Sequence, residues 1–134
     1  MPRIDDIEGI GPVYAKKLTD AGVKTVEKLP IVGASPKGRE ELAQKAGIDR
    51  KLILEWVNHA DLYRIKGVGQ EYSDLLEEAG VDTVVELATR NPENLHAKIL
   101  ETNAAKKLVR RPPSAKMVAD WVAQAKELPR VLTY

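Results

Sequence analysis

Ile7-Glu8-Gly9-Ile10-Gly11-Pro12-Val13-Tyr14 returns later in the chain as Ile65-Lys66-Gly67-Val68-Gly69-Gln70-Glu71-Tyr72. In both copies two glycines flank one apolar residue, immediately before a stretch that reads as helix. Glycine is used where φ is positive or where another group approaches the main chain closely. The central Ile10 or Val68 can then plug a core and fix the turn. We expect a tight turn that launches a helix, used twice.

The match extends outward from these turns. At the same offset of 58, Leu18, Ala21, Gly22, Val23, Thr25, Val26 and Leu29 recur as Leu76, Ala79, Gly80, Val81, Thr83, Val84 and Leu87. Farther on the offset becomes 65: Leu52, Ile53, Trp56, Val57 and Ala60 answer to Met117, Val118, Trp121, Val122 and Ala125. Such self-similarity is the mark of a duplicated structural unit. It divides the chain into units 1–64 and 65–134, the second carrying a longer insertion at about 89–114.

Caps and periodicity give the elements. Pro12 suits a first helical turn, because its missing N–H is no loss there. That helix is expected to stop at Gly22, a plausible left-handed residue. Thr25 is expected to cap a short helix carrying Val26 and Leu29. Ser35-Pro36 opens the next, which closes at Gly47. Asp49 caps a longer helix to about Leu62, whose apolar residues lie in a one-sided stripe. The second unit repeats the plan, from Gln70 to Ala79 before Gly80. Thr83 with Glu86 fits a capping box. Asn91-Pro92 opens a helix carrying Leu95, Ile99 and Leu100. Pro112-Pro113 interrupts the chain, and Ser114 caps a last helix ending near Leu128. No segment sustains period-two alternation, so the fold class is all-α. Trp56 and Trp121 fall within apolar stripes and are assigned to the core. Tyr14 and Tyr72 are also better read as core than as base-stacking platforms.

Composition narrows the chemistry. There is no cysteine, which excludes disulfides, thiolate metal sites and cysteine catalysis. No apolar run approaches membrane-span length, and Met1 to Asp6 carries no signal-peptide core. A cytoplasmic location is expected. The net charge is +1, from 21 basic and 20 acidic residues. That is low for a dedicated DNA-binding domain, so any nucleic-acid site must be local. Charge is segregated nonetheless. Between Glu71 and Glu93 the only basic residue is Arg90, and between Lys98 and Lys116 the only acidic one is Glu101. Segregated patches can steer a partner, but they also describe two ordinary solvated faces.

The run from Ile7 through Leu18, apolar-x-Gly-apolar-Gly-x-x-x-Ala-x-x-Leu, resembles the helix-hairpin-helix motif of DNA repair proteins, ligases and polymerases. The resemblance implies that hairpin amides hold a DNA phosphate, helped by a nearby basic side chain. Such hairpins sometimes also hold a monovalent cation through backbone carbonyls. The whole chain further resembles a family of uncharacterised prokaryotic proteins built from two such units and known only as a domain of unknown function. The runs Asn91 to Lys98, Lys107 to Ser114 and Asp120-Trp121-Val122 carry that likeness. It implies two tandem helix-hairpin-helix (SAM-like) units packed as one compact pseudo-symmetric body. Because the second hairpin is preceded by a full helix and the first is not, pseudo-symmetry leads us to expect the helix from Ser114 to fold back over the first hairpin.

The two hairpins are chemically unequal. Gly9, Ile10 and Gly11 are followed by Lys16 and Lys17, which can reach a phosphate over the turn. Gly67, Val68 and Gly69 are followed by Glu71, Asp74, Glu77 and Glu78, which repel one. Hairpin 1 is therefore the candidate binder and hairpin 2 a structural turn. Lys106, Lys107, Arg110 and Arg111, with Lys116 beyond the prolines, form a second basic candidate. Nothing in the sequence marks an enzyme. His59 and His96 stand in non-matching places, the first expected partly buried and the second at the surface. Asp5-Asp6-Glu8 reads as an acidic turn, and neither a phosphate loop nor a catalytic triad order is present. No metal or cofactor is expected. The sequence supports a weak, sequence-independent nucleic-acid binder. The alternative is a protein-interaction scaffold with both hairpins purely structural, and a small-ligand pocket at the seam ranks third.

Overall fold

A computed structural model of the chain describes residues 3–7 and 9–134. Among the described residues the chain is all-helical. A 3-10 turn at Ile4–Asp6 is followed by α1 (Pro12–Asp20), α2 (Lys28–Val32), α3 (Pro36–Ala46), α4 (Arg50–Leu62), α5 (Gln70–Glu78), α6 (Val84–Ala88), α7 (Pro92–Lys106) and α8 (Ala115–Glu127). The single extended pairing among these residues is an isolated antiparallel bridge between Arg3 and Thr25. The chain divides into two units, Met1–Asp61 with Val131–Tyr134, and Leu62–Arg130.

In the first unit the 3-10 turn is tied by the Arg3 amide, which donates to the Asp6 carboxylate at 2.8 Å. The turn and α3 both pack against α1, and α2 packs against α3. Ile7, Leu18, Val23, Val26, Leu29, Ile53, Trp56 and Val57 are all but fully buried. The α3 cap forms as the sequence implies: the Ser35 hydroxyl accepts the Gly38 amide at 3.0 Å. Gly47 closes that helix with a left-handed φ of +67°. Asp49 caps α4 by accepting the Lys51 amide at 2.8 Å. Thr25 does not cap α2, which begins only at Lys28 and has no side-chain cap. Its main chain is held by Arg3 instead, and its carbonyl closes a turn with the Lys28 amide.

The tail Val131–Tyr134, which the repeat assigned to the second unit, belongs to the first. Several bonds hold it there, including one from the Thr133 hydroxyl to the Ala34 carbonyl at 3.3 Å. The Thr133 amide donates to the Ala34 carbonyl at 2.7 Å, the Arg39 guanidinium donates to the Thr133 carbonyl at 2.8 Å, and the Tyr134 hydroxyl donates to Asn58 at 2.8 Å. No repeat pattern covers these four residues, so the duplication could not place them.

In the second unit α8 packs against α6 and α7, and α5 against α7. Their shared core includes Leu75, Leu76, Val84, Leu87, Leu95, Ile99, Val118 and Trp121. Thr83 does cap α6, accepting the Glu86 amide at 3.2 Å. The Glu86 carboxylate turns to Arg90 at 2.9 Å. The insertion becomes concrete here. Helix α7 has 15 residues against 11 in α3, and the corner at Gly47–Asp49 expands into the loop 107–114. The Asn103 side chain pins that loop, accepting the Val109 amide at 3.0 Å and donating to the Val109 carbonyl at 3.2 Å.

The indole that covers each turn comes from the same unit as the turn. Trp56 of α4 takes the place over Gly9, and Trp121 of α8 takes the corresponding place over Gly67.

Candidate functional site

Gly9 and Gly67 hold φ of +92° and +95°, conformations that side-chain-bearing residues rarely adopt. A second constraint acts at the same atoms. A Cβ on Gly9 would lie 3.4 Å from the Trp56 indole nitrogen, and one on Gly67 would lie 3.2 Å from that of Trp121. Each turn is closed by one bond, from the Ile10 amide to the Ile7 carbonyl and from the Val68 amide to the Ile65 carbonyl, both at 3.1 Å. Ile10 and Val68 are buried beneath their turns. Gly11 and Gly69 then act as helix N-caps in extended conformation, exposed and with open space where a Cβ would stand. Tyr14 leans on Trp56 with ring centroids 5.1 Å apart, and Tyr72 on Trp121 at 5.2 Å. Both tyrosines are half-buried at the edge of the core rather than inside it.

Neither helix start carries a side-chain cap. In α1 Pro12 has no N–H to offer, which leaves the Val13 and Tyr14 amides as first-turn donors. In α5 Gln70, Glu71 and Tyr72 all have one. Such amides, together with the positive end of the helix dipole, make a surface that suits an anion. Their neighbours differ in sign. Lys16 and Lys17 are exposed on α1. Lys16 pairs with Asp20 at 3.0 Å across one turn, and the Lys17 ammonium stands 5.9 Å from the centre of the Tyr14 ring. On α5 the exposed Glu71 sits in the first turn. Val13, at the mouth of the first hairpin, is 69% exposed.

The basic run lies wholly in the second unit. Lys106 pairs with Glu78. Lys107 ends α7 with a φ of +52°, where the equivalent corner of the first unit has Gly47. Arg110, Arg111 and Lys116 are exposed. The Tyr72 hydroxyl donates to the Arg111 carbonyl at 3.1 Å, so the loop is tethered to the helix that the second hairpin launches. The sequence did not foresee this: the insertion brings arginines to the acidic hairpin's own helix.

Of the remaining sequence candidates, His59 is buried. His96 is half-buried rather than free at the surface, with Nε2 3.0 Å from the Pro113 carbonyl. Asp5 pairs with Arg3 and Asp6 caps its turn, while Glu8 lies outside the described residues. One group escaped the sequence reading. Arg39 is only 5% exposed. Its guanidinium donates to the Gly33 and Thr133 carbonyls, each at 2.8 Å, and lies 5.3 Å from the centre of the Tyr134 ring. Burial pushes its pKa below the ordinary arginine value, an effect that Tyr134 partly offsets. The available signal was its register: with Leu42, Ala43 and Ala46 it occupies i, i+3, i+4 and i+7, the buried stripe of α3.

The chain belongs to the family described as a domain of unknown function, DUF4332, whose family model matches residues 8–128 and so spans both Gly-x-Gly turns. No curated protein and no solved structure gives a significant match.

Proposed function

We propose that the chain is a non-enzymatic accessory module of two tandem helix-hairpin-helix units, whose first hairpin binds nucleic-acid phosphate weakly and without reading sequence. One observation carries this. A glycine turn runs directly into the uncapped start of α1, exposing Gly11 and first-turn amides beside Lys16 and Lys17. Gly9, Ile10 and Gly11 supply main chain that a phosphate can approach, and the two lysines supply charge. The Lys16–Asp20 pair is no obstacle, because exposed pairs of this kind contribute only about 0.3–0.5 kcal/mol. Contacts to phosphate position a backbone and carry no base information. In the second unit Arg110 and Arg111 offer a further cationic surface, with Lys107 beside them and Lys106 partly committed to Glu78.

No helix among the described residues is long and apolar enough to cross a membrane, and we infer that the module works in the cytoplasm. The test is affinity for duplex and single-stranded DNA and RNA as salt is varied. Binding should weaken linearly in log–log form with a shallow slope, about −0.9 for each phosphate neutralised on duplex DNA. Lys16→Glu with Lys17→Glu should weaken all sequences alike. No binding at low salt with the protein at tens of micromolar would defeat the proposal.

A second reading, a protein-interaction scaffold, draws on a different observation. Val13 and Ile31, both in the first unit, are 69% and 67% exposed. Exposed apolar side chains suit a protein partner better than a phosphate. A partner recovered from lysate after nuclease treatment, and lost on Val13→Asp, would favour this alternative.

A further inference from the structure

The first unit contains a cleft of about 360 Å³ lined by Pro36, Arg39, Arg50, Lys51, Leu54 and Tyr134. It uses none of the hairpin residues. Its size falls within the range of small-molecule sites. Three of its six lining residues are cations, and two walls are apolar.

Arg39 is the decisive member. A buried guanidinium normally has a carboxylate partner, because an uncompensated buried charge is costly. Arg39 instead has two neutral carbonyls and the face of Tyr134. No Asp or Glu side chain pairs with it among the described residues. At the rim Arg50 is 70% exposed and shares its charge with the exposed Glu40 at 2.8 Å. Lys51 is exposed. Pro36 begins α3 and Arg50 begins α4, so two helix N-termini add their positive ends to the same cleft. Cations predominate in the lining, although Glu40 beside Arg50 and the Asp49 carboxylate at the start of α4 offset part of the charge at the rim.

The opposite requirement comes from the remaining walls. Pro36 and Leu54 offer apolar surface, and Tyr134 offers an aromatic ring that is 58% exposed. An inorganic anion would use the cations and leave these surfaces unused. An apolar ligand would bury them and leave the cations desolvated. A ligand with one anionic head and one flat aromatic body satisfies both.

From this complementarity we propose that the first-unit cleft binds a small phosphate monoester that carries a planar aromatic body, as nucleoside monophosphates do, with its phosphate at Arg39, Arg50 and Lys51 and its planar body against Tyr134 and Leu54. The aromatic body stacks, as bases do on exposed aromatic side chains. The charged head completes the cation set that Arg39 leaves without a counter-ion.

The test is a titration of the full chain with adenosine monophosphate, phenyl phosphate and inorganic phosphate, followed by amide chemical shifts. The first two should saturate at about 0.1–1 mM and move the amides of Lys51, Leu54 and Tyr134. Inorganic phosphate should bind about tenfold more weakly. Lys51→Glu and Arg50→Gln replace exposed side chains, so circular dichroism should be unchanged while affinity falls about fivefold or more. The double variant Lys16→Glu with Lys17→Glu should leave this binding intact, which separates failure of the cleft from failure of the hairpin. The proposal is overturned by the absence of saturable shifts up to about 10 mM. Equal affinity for inorganic phosphate, or shifts confined to Gly11–Tyr14, would overturn it as well.

Discussion

Around Gly9 and around Gly67 the main chain follows one design, and the side chains set on it differ in almost every charge. Both turns have a left-handed glycine, a buried aliphatic plug, an exposed glycine N-cap and a tryptophan laid over the first glycine. At the first, the emerging helix offers Lys16 and Lys17. At the second it offers Glu71, and Tyr72 is engaged with the Arg111 carbonyl. Shape here is fixed by four residues in contact. Chemistry is fixed by the exposed residues of the following turn, which packing leaves free to change. A shared backbone is therefore no argument for shared binding.

The strongest way to break this comparison is to remove the covering indoles. Trp56→Ala and Trp121→Ala should each destabilise the chain by about 3–5 kcal/mol, since each empties a fully packed aromatic site. Urea unfolding measures it. A loss below about 1 kcal/mol at one site only would mean that the two turns are not held alike.

Next come the glycines themselves. Gly9→Ala and Gly67→Ala should each cost about 1–3 kcal/mol, from backbone strain at positive φ. Gly67 should suffer more, because its Cβ would meet the indole nitrogen at 3.2 Å rather than 3.4 Å. Gly11→Ala and Gly69→Ala, at negative φ with open space, should stay within about 1 kcal/mol. Thermal or urea unfolding of the four variants gives the ranking, and an inverted ranking would discard the geometric account of the turns.

The smallest effect sharpens the comparison at another pair of corners. Gly47 and Lys107 both end a helix with left-handed φ, of +67° and +52°. Lys107→Gly should stabilise the second unit by about 0.5–1 kcal/mol, and Gly47→Lys should destabilise the first by a similar amount. Chemical denaturation with unchanged m-values is the readout.

Much of this architecture was legible in the sequence because repetition marks the residues that set backbone shape. The Gly-x-Gly turns and the tryptophans stood out for that reason, while the caps Ser35, Asp49, Thr83, Asn91 and Ser114 were marked by residue type, and the side-chain oxygen of each accepts a main-chain amide of the helix it precedes. Thr25 misled by the same logic. It shares the register of Thr83, but the bridge to Arg3 holds it out of the capping role. The tail Val131–Tyr134 was invisible, having no counterpart to repeat. Arg39 was hidden by its residue type: its stripe position was readable, but an arginine on a buried face contradicts the usual pattern. The tether from Tyr72 to Arg111 joins residues 39 positions apart, beyond any local signal.

The two hairpins are expected to behave differently toward phosphate. Amide chemical shifts of the full chain, titrated at low salt with a short duplex DNA, examine both in one experiment. Gly11, Val13 and Tyr14 should shift and return as salt is added, while Gly69, Glu71 and Tyr72 stay in place. Equal shifts at both hairpins, or none at either, would contradict it.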